Sequence, residues 1–168
     1  GFRHCRLVYE PTAALIGSNV VDLEQMPRSG VVLVVDWGGG TLDLSVVSIE
    51  DGVFREEAVR GESRSMGGSD MDREICRRLF AADRNLQSSV GALPSGEDRL
   101  AAEIEAEKIN FLEDFDPGED ALIAPEWIED IIELRRDLVF DVIDSFTDDA
   151  ILEIEKMLRE SGIAENRI

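Results

Sequence analysis

Histidine occurs once, at His4, and cysteine twice, at Cys5 and Cys76, so the 168-residue chain lacks the ligand spacing of a Cys/His metal site. Two cysteines so far apart fit reduced thiols of an intracellular protein better than a disulfide framework. No apolar run is long enough to span a bilayer, and there is no internal repeat or low-complexity tract. Positive charge is scarce: 17 Lys and Arg stand against 37 Asp and Glu, a formal net charge of -20. The acidic excess is heaviest after Gly96. Such a surface repels nucleic acid and anionic membrane, and neither is expected as a partner. An anionic ligand is admitted only where backbone dipoles, a metal ion or a partner's cations reverse the local field. The chain opens on "GFRHCRLVYEP" with no Met and no secretory pattern, so its N-terminus and targeting information are expected to lie outside this sequence.

What is present is apolar patterning, with 43% hydrophobic residues, enough for one ordinary domain or two small lobes. Leu7, Val8 and Tyr9 form a short apolar run, and "PTAALIGSNV" begins a helix at Pro11. "QMPRSG" is a turn. Val31 to Val35 and Leu42 to Ile49 predict two strands, Glu50-Asp51-Gly52 a hairpin turn, and Val53 to Val59 a third strand, giving an antiparallel meander. Ser69 with Asp72 predicts a capping box that opens a helix with Met71, Ile75 and Leu79 on one stripe. "QSSVGALPSG" reads as a flexible connection to a helix carrying Leu100, Ile104, Phe111 and Leu112. After a loop at "DFDPGED", "ALIAPEW" is a short strand or irregular. A long amphipathic helix is predicted from about Arg135 to Glu160, with Leu138, Val142, Phe146, Ala150, Ile154, Met157 and Leu158 on one face and a Gly162 cap.

The chemistry concentrates at "VVDWGGGTLDLS". One glycine suffices for a turn, whereas Gly38, Gly39 and Gly40 together leave successive N–H groups free to converge on an anion such as phosphate. Asp36 and Asp43 on either side would repel a bare phosphate. Mg2+ resolves the conflict, because it keeps most of its waters and is held by a few carboxylates and phosphate oxygens. Thr41 adds a hydroxyl. Taken alone, the same residues also make a loose hairpin with solvated acids.

"YEPTAALIG", "VVDWGGGTLDLSVVSIEDGVF", "MGGSDMD" and "EAEKI" occur in that order, and this series resembles the ATPase domain of the Hsp70 chaperones, members of the actin-like superfamily. The resemblance is strongest from Tyr9 to Asp72. It implies an α/β fold: lobe II of the actin-like, ribonuclease H-like ATPase, a β-meander with helices plus a small α+β outer subdomain. Residues 1–66 and 135–168 would form the incomplete inner subdomain and 67–134 the outer one. Lobe I with its catalytic lysine, the adenosine-binding turn after "GIAENRI", and the peptide-binding domain and lid would lie outside the sequence, leaving the fragment inactive by itself.

Carried over, the resemblance gives Asp36 the hydrated Mg2+ and lets Gly38, Gly39, Gly40 and Thr41 line the phosphates of ATP or ADP. Glu10 and Asp43 match carboxylates that arrange metal-bound and attacking water. Gly67 and Gly68 match a second glycine pair near phosphates and ribose, and Glu105 and Lys108 match residues that reach adenosine. Implied partners are nucleotide, unfolded protein clients through a missing domain, J-domain co-chaperones and nucleotide exchange factors. The implied location is cytoplasmic, although mitochondrial and reticulum members share the pattern. From the residues alone, Glu10 also reads as a helix cap, Gly67-Gly68 as a chain reversal, and Glu105 with Lys108 as a surface pair.

The chain departs from the family pattern in four places. Leu112 stands where many members have a serine contacting the nucleoside, Trp37 and Ser69 replace a more usual Leu and acid, and "NLQSSVGALPSG" replaces a basic segment. These departures keep a second reading open, a noncatalytic docking module for exchange factors and co-chaperones. A filament former or small-molecule kinase of the actin-like class is disfavoured by "EPTAA".

Overall fold

A three-stranded sheet forms where the apolar runs are interrupted by two strong turns. In the computed structural model, which describes residues 5, 7–8, 10–17, 29–60, 66–113, 120–163 and 168, β1 (Ser29–Trp37), β2 (Leu42–Glu50) and β3 (Val53–Arg60) pair antiparallel in the order β1-β2-β3. Asp51 and Gly52 both have positive φ, 50° and 77°, the backbone that a two-residue hairpin twisted like its strands demands. The β2–β3 register slips between Val46 and Val47, a bulge that sends the last part of β3 onward with altered pairing. The predicted meander is therefore observed. His4, Tyr9, the start of the "QMPRSG" turn and residues 114–119 lie outside the described residues.

The chain divides into two compact units, Gly1–Ser65 with Ala150–Ile168, and Met66–Asp149. The C-terminal helix α5 (Arg136–Ser161) contributes residues to both, the division falling at Ala150.

In the first unit the alternation of β2 sends its side chains to two different covers. Leu44 and Val46 are buried with Met157 and Leu158 of α5, and Val31, Leu33, Leu42, Ala58, Ile154 and Ile163 close around them. Each of the four buried side chains, Leu44, Val46, Met157 and Leu158, contributes about 1.5–3 kcal/mol by leaving water. The opposite face of β2, at Ser45, meets the short helix α1 (Glu10–Gly17), where the Thr12 and Ser45 hydroxyls are hydrogen-bonded at 3.1 Å and buried. The helix ends as its sequence predicts. Gly162 takes a left-handed φ of 69°, and the Ile163 amide donates to the Leu158 carbonyl at 3.2 Å, the six-residue closure of a glycine C-cap.

The second unit packs α2 (Gly68–Ala82), α3 (Arg84–Gly91) and α4 (Gly96–Glu113) against one another, with a two-stranded sheet of β4 (Ala121–Ile123) and β5 (Ile132–Leu134). Its buried side chains include Ile75, Val90, Leu100, Ile104, Leu134, Val139 and Val142. Three expectations are corrected here. The first half of the stretch read as a flexible connection is the end of α3, because the Asp83 carboxylate caps the Asn85 and Leu86 amides at 2.8 and 3.2 Å and starts a helix that buries Leu86 and Val90. The cap of α2 is Gly67, not Ser69: the Asp70 carboxylate accepts from the Gly67 amide at 3.2 Å, while Asp72 turns inward. On α5 Val139 is fully buried, whereas Leu138 and Phe146 are only partly covered.

One glycine of this unit is demanded by packing. A Cβ on Gly96 would sit 2.1 Å from the Val90 carbonyl oxygen, so α4 can begin against the end of α3 only without a side chain. Gly96→Ala is expected to lower the stability of the chain by about 1–3 kcal/mol, the usual cost of forced overpacking. Urea unfolding measures it; an unchanged midpoint would mean that α4 shifts freely.

Candidate functional site

The β1–β2 hairpin aligns Asp36 directly opposite Asp43, with Trp37 opposite Leu42 as the last pair before the tip. Gly38 donates its amide to the Thr41 carbonyl at 2.9 Å, which closes the tip and leaves Gly38, Gly39, Gly40 and Thr41 exposed. The Thr41 hydroxyl donates to Asp43 Oδ2 at 2.8 Å, so hydroxyl and carboxylate are held on one side of the strand. Alternation puts Asp43 and Ser45 on the same face of β2, and Ser45 is the residue bonded to Thr12. The N-terminal end of α1, which begins at Glu10, therefore shares a sheet face with Asp36 and Asp43. Three predicted site carboxylates and the glycine tip are thus gathered in the first unit.

Two features of this hairpin are unfavourable or superfluous for folding. Like charges directly opposite on an antiparallel pair repel, because their Cβ atoms are about 4.5–5.5 Å apart. A strand pair chosen for stability would not put Asp36 against Asp43. Nor do the glycines answer a backbone need, since neither Gly38 nor Gly40 has positive φ. A Cβ on Gly38 would meet only the Thr41 carbonyl oxygen at an ordinary 3.8 Å, and one on Gly40 would meet nothing within 4 Å.

Magnesium fits the donors on offer. Among the described residues no three His, Cys, Asp or Glu side chains gather into a metal cage. Mg2+ does not require one, since it retains several waters and takes one or two carboxylates. Asp36, Asp43 and the Thr41 hydroxyl supply hard oxygen donors of that kind, and a dication beside them would cancel the Asp36–Asp43 repulsion.

The other predicted site residues belong to the second unit. Gly67 is buried and precedes α2, and Gly68 opens that helix. Glu105 and Lys108 are on α4 but point differently. Glu105 is exposed, whereas the Lys108 side chain is 8% exposed and ion-paired with Asp72 at 2.7 Å. Lys108 also donates to the Gly68 carbonyl at 3.1 Å. Burial pushes the Asp72 carboxyl above its ordinary range; the hydrogen bond and charge of Lys108 draw it back, and Glu105 adds to the rise. Leu112 is half exposed.

Sequence reasoning missed Asp72 as a partner of Lys108, and the signal was available. Asp72 falls on the buried stripe of α2 with Ile75, Cys76 and Leu79, and Lys108 falls on the stripe of Leu100, Ile104 and Phe111. An acid and a base that each interrupt an apolar stripe are paired more often than they are exposed. Among the described residues no helix is long and apolar enough to cross a membrane.

The geometry describes a mixed α/β protein whose sheet ends in a glycine tip between opposed carboxylates. Comparison with known proteins gives that class a family. The model of the family "Hsp70 protein" matches residues 1–113. A relative described as a chaperone protein HscA homolog, from Laribacter hongkongensis, is 28% identical over 165 residues, 98% of this chain and 25% of that protein. The chaperone protein HscA of Buchnera aphidicola is 36% identical over 88 residues, 52% of this chain and 13% of that protein. The mitochondrial iron-sulfur cluster biogenesis chaperone of Saccharomyces cerevisiae is 40% identical over 80 residues, 48% of this chain and 12% of that protein. This chain belongs to the Hsp70 family. It spans a quarter or less of the length of these relatives.

Proposed function

We propose that the chain is the lobe II part of the nucleotide-binding domain of an Hsp70-type chaperone, of the actin-like ATPase fold. Residues 1–66 and 135–168 would be its inner subdomain and residues 67–134 its outer one. The reading is carried by one observation: the hairpin tip keeps glycines and opposed acids that its own folding does not ask for. In it, Gly38 to Thr41 line the phosphates of ATP or ADP, with the amides that the Gly38–Thr41 bond leaves free as donors, and Asp36 holds hydrated Mg2+. Asp43, kept in place by Thr41, and Glu10 orient water. For the second unit, the resemblance extends the proposal to Gly67, Gly68, Glu105 and Lys108 as residues on the sugar side of a nucleotide. The metal, when bound, screens phosphate charge in a chain that is otherwise strongly anionic.

Hydrolysis of ATP to control binding of unfolded clients, and regulation by J-domain co-chaperones and exchange factors, are proposed for the whole protein. One of the relatives named above is an iron-sulfur cluster biogenesis chaperone, and a role of that kind is among the proposals for the whole protein.

The test is a backbone-amide NMR titration of this chain with Mg-ADP and then Mg-ATP. Shifts concentrated at Gly38 to Thr41 are expected. A spectrum unmoved at millimolar nucleotide would reject the preformed site and favour the docking-module reading.

A further inference from the structure

We infer that the second unit carries a small-molecule site: a cleft between α2, α3 and the start of α4 that takes an extended zwitterion, with a carboxylate at one end of an apolar stem and an ammonium or guanidinium at the other. The site belongs to one unit and does not rest on the nucleotide reading.

The cleft encloses about 400 Å3, within the range of small-molecule sites, about 300–1,000 Å3. Its floor is apolar, since Cys76 and Phe80 line it and both are buried. Charge is divided by element. Arg73 and Arg77 on α2 and Arg84 on α3 bring guanidiniums, while Glu97 and Asp98 in the first turn of α4 bring carboxylates. Among the described residues no ion pair joins the two sets. Glu97 nevertheless acts on the floor: burial pushes the Cys76 thiol up to about 12, and the charges of Asp72 and Glu97 add to the rise.

The arginines are only partly spent. Arg77 gives Nε and Nη2 to Glu74, both at 2.6 Å, Arg73 gives Nη1 to Asp70 at 3.1 Å, and Arg84 gives Nη1 to Gln87 at 3.2 Å. A guanidinium has five N–H groups, so each of the three keeps donors for a further acceptor. Spare donors and spare carboxylates therefore line one cleft without meeting.

The occupant follows by elimination. A simple anion such as phosphate would meet Glu97 and Asp98, and a simple cation would meet the guanidiniums, each against like charge. An amino acid with an uncharged side chain carries both charges on one carbon and has no stem between them. An extended zwitterion is neutral, so the net charge of -20 does not repel it. Its carboxylate accepts from the planar guanidinium forks, its cation pairs with Glu97 and Asp98, and its stem covers Cys76 and Phe80.

The probe is 6-aminohexanoate, with hexanoate and hexylammonium as its two halves, each titrated into the full chain and followed by amide NMR. Shifts are expected at Cys76, Phe80, Gln87 and Glu97, with either half bound about tenfold more weakly, the loss of one charge-assisted contact. Arg77→Gln is expected to weaken 6-aminohexanoate about tenfold and hexylammonium not at all. The Arg77 side chain is 68% exposed, and in its absence Glu74 keeps Arg78 at 3.0 Å, so α2 is not left with an unpaired acid. Glu97→Gln with Asp98→Asn, both on the surface, is expected to weaken 6-aminohexanoate by a similar factor and hexanoate not at all.

Hexanoate binding as tightly as 6-aminohexanoate would make the cleft an anion site, and hexylammonium binding as tightly would make it a cation site. Either result overturns the zwitterion. If none of the three moves the cleft amides at tens of millimolar, or if the variants bind 6-aminohexanoate like the parent, the site itself is overturned.

Discussion

Gly38→Ala and Gly40→Ala are expected to fold as well as the parent chain and to lose the nucleotide. The first half follows from the free hairpin. Neither glycine needs a left-handed backbone, and an added methyl meets at most one atom, at van der Waals distance. Alanine also has fewer unfolded conformations to give up than glycine, so stability is expected to stay level or rise by up to about 1 kcal/mol. The second half follows from the proposed use of the open tip. Phosphate oxygens bound by successive amides lie close to the Cα atoms, where a methyl group competes for the same space. A loss of about 3 kcal/mol in binding corresponds to roughly a hundredfold weaker Mg-ADP affinity. Urea unfolding and the amide titration read the two halves separately. If either variant unfolds early yet binds normally, the glycines belong to the hairpin and not to a ligand.

The meander and the tip were legible in sequence because their signals are local: alternating or continuous β-branched runs, an Asp-Gly turn, and three glycines at one place. The Pro11 helix and the Gly162 cap were legible for the same reason. What failed was where a tertiary contact overrides a local one. Ser69 looks like a better cap than Gly67, yet α2 starts one residue after Gly67, and Asp72 is drawn into the core by Lys108, forty positions from the Gly68 carbonyl that the same ammonium holds. The stretch "QSSVGALPSG" is rich in turn formers, but Asp83 caps it and Leu86 and Val90 have α2 and α4 to pack against. β5 escaped notice because three residues carry almost no periodicity. Asp36 and Asp43 were read as a site from their types. That they stand opposite each other is a fact of register, which the turn length fixes and the composition does not announce.

That register makes the last prediction, because it ties the cost of the site to its use. Asp36→Asn removes one of two facing charges, so in a chelator the variant is expected to be more stable than the parent by about 0.2–1 kcal/mol. Asp43→Asn is expected to gain a similar amount, since the amide oxygen still accepts from Thr41. The double variant should gain no more than either single one, because both relieve the same repulsion and their effects cannot add. Magnesium reverses the order. With Mg2+ and ADP the parent is stabilised by binding, whereas Asp36→Asn is expected to bind about a hundredfold more weakly and to show almost no stabilisation. Urea midpoints in chelator and in Mg-ADP, for the parent and three variants, give the whole cycle. Additive gains in chelator would mean that the two carboxylates do not face each other. A parent that gains nothing from Mg-ADP would mean that they are opposed for some other cation or partner. A chain that keeps a repulsive pair at the end of its central hairpin, where two asparagines would fold better, is expected to use that place for positive charge.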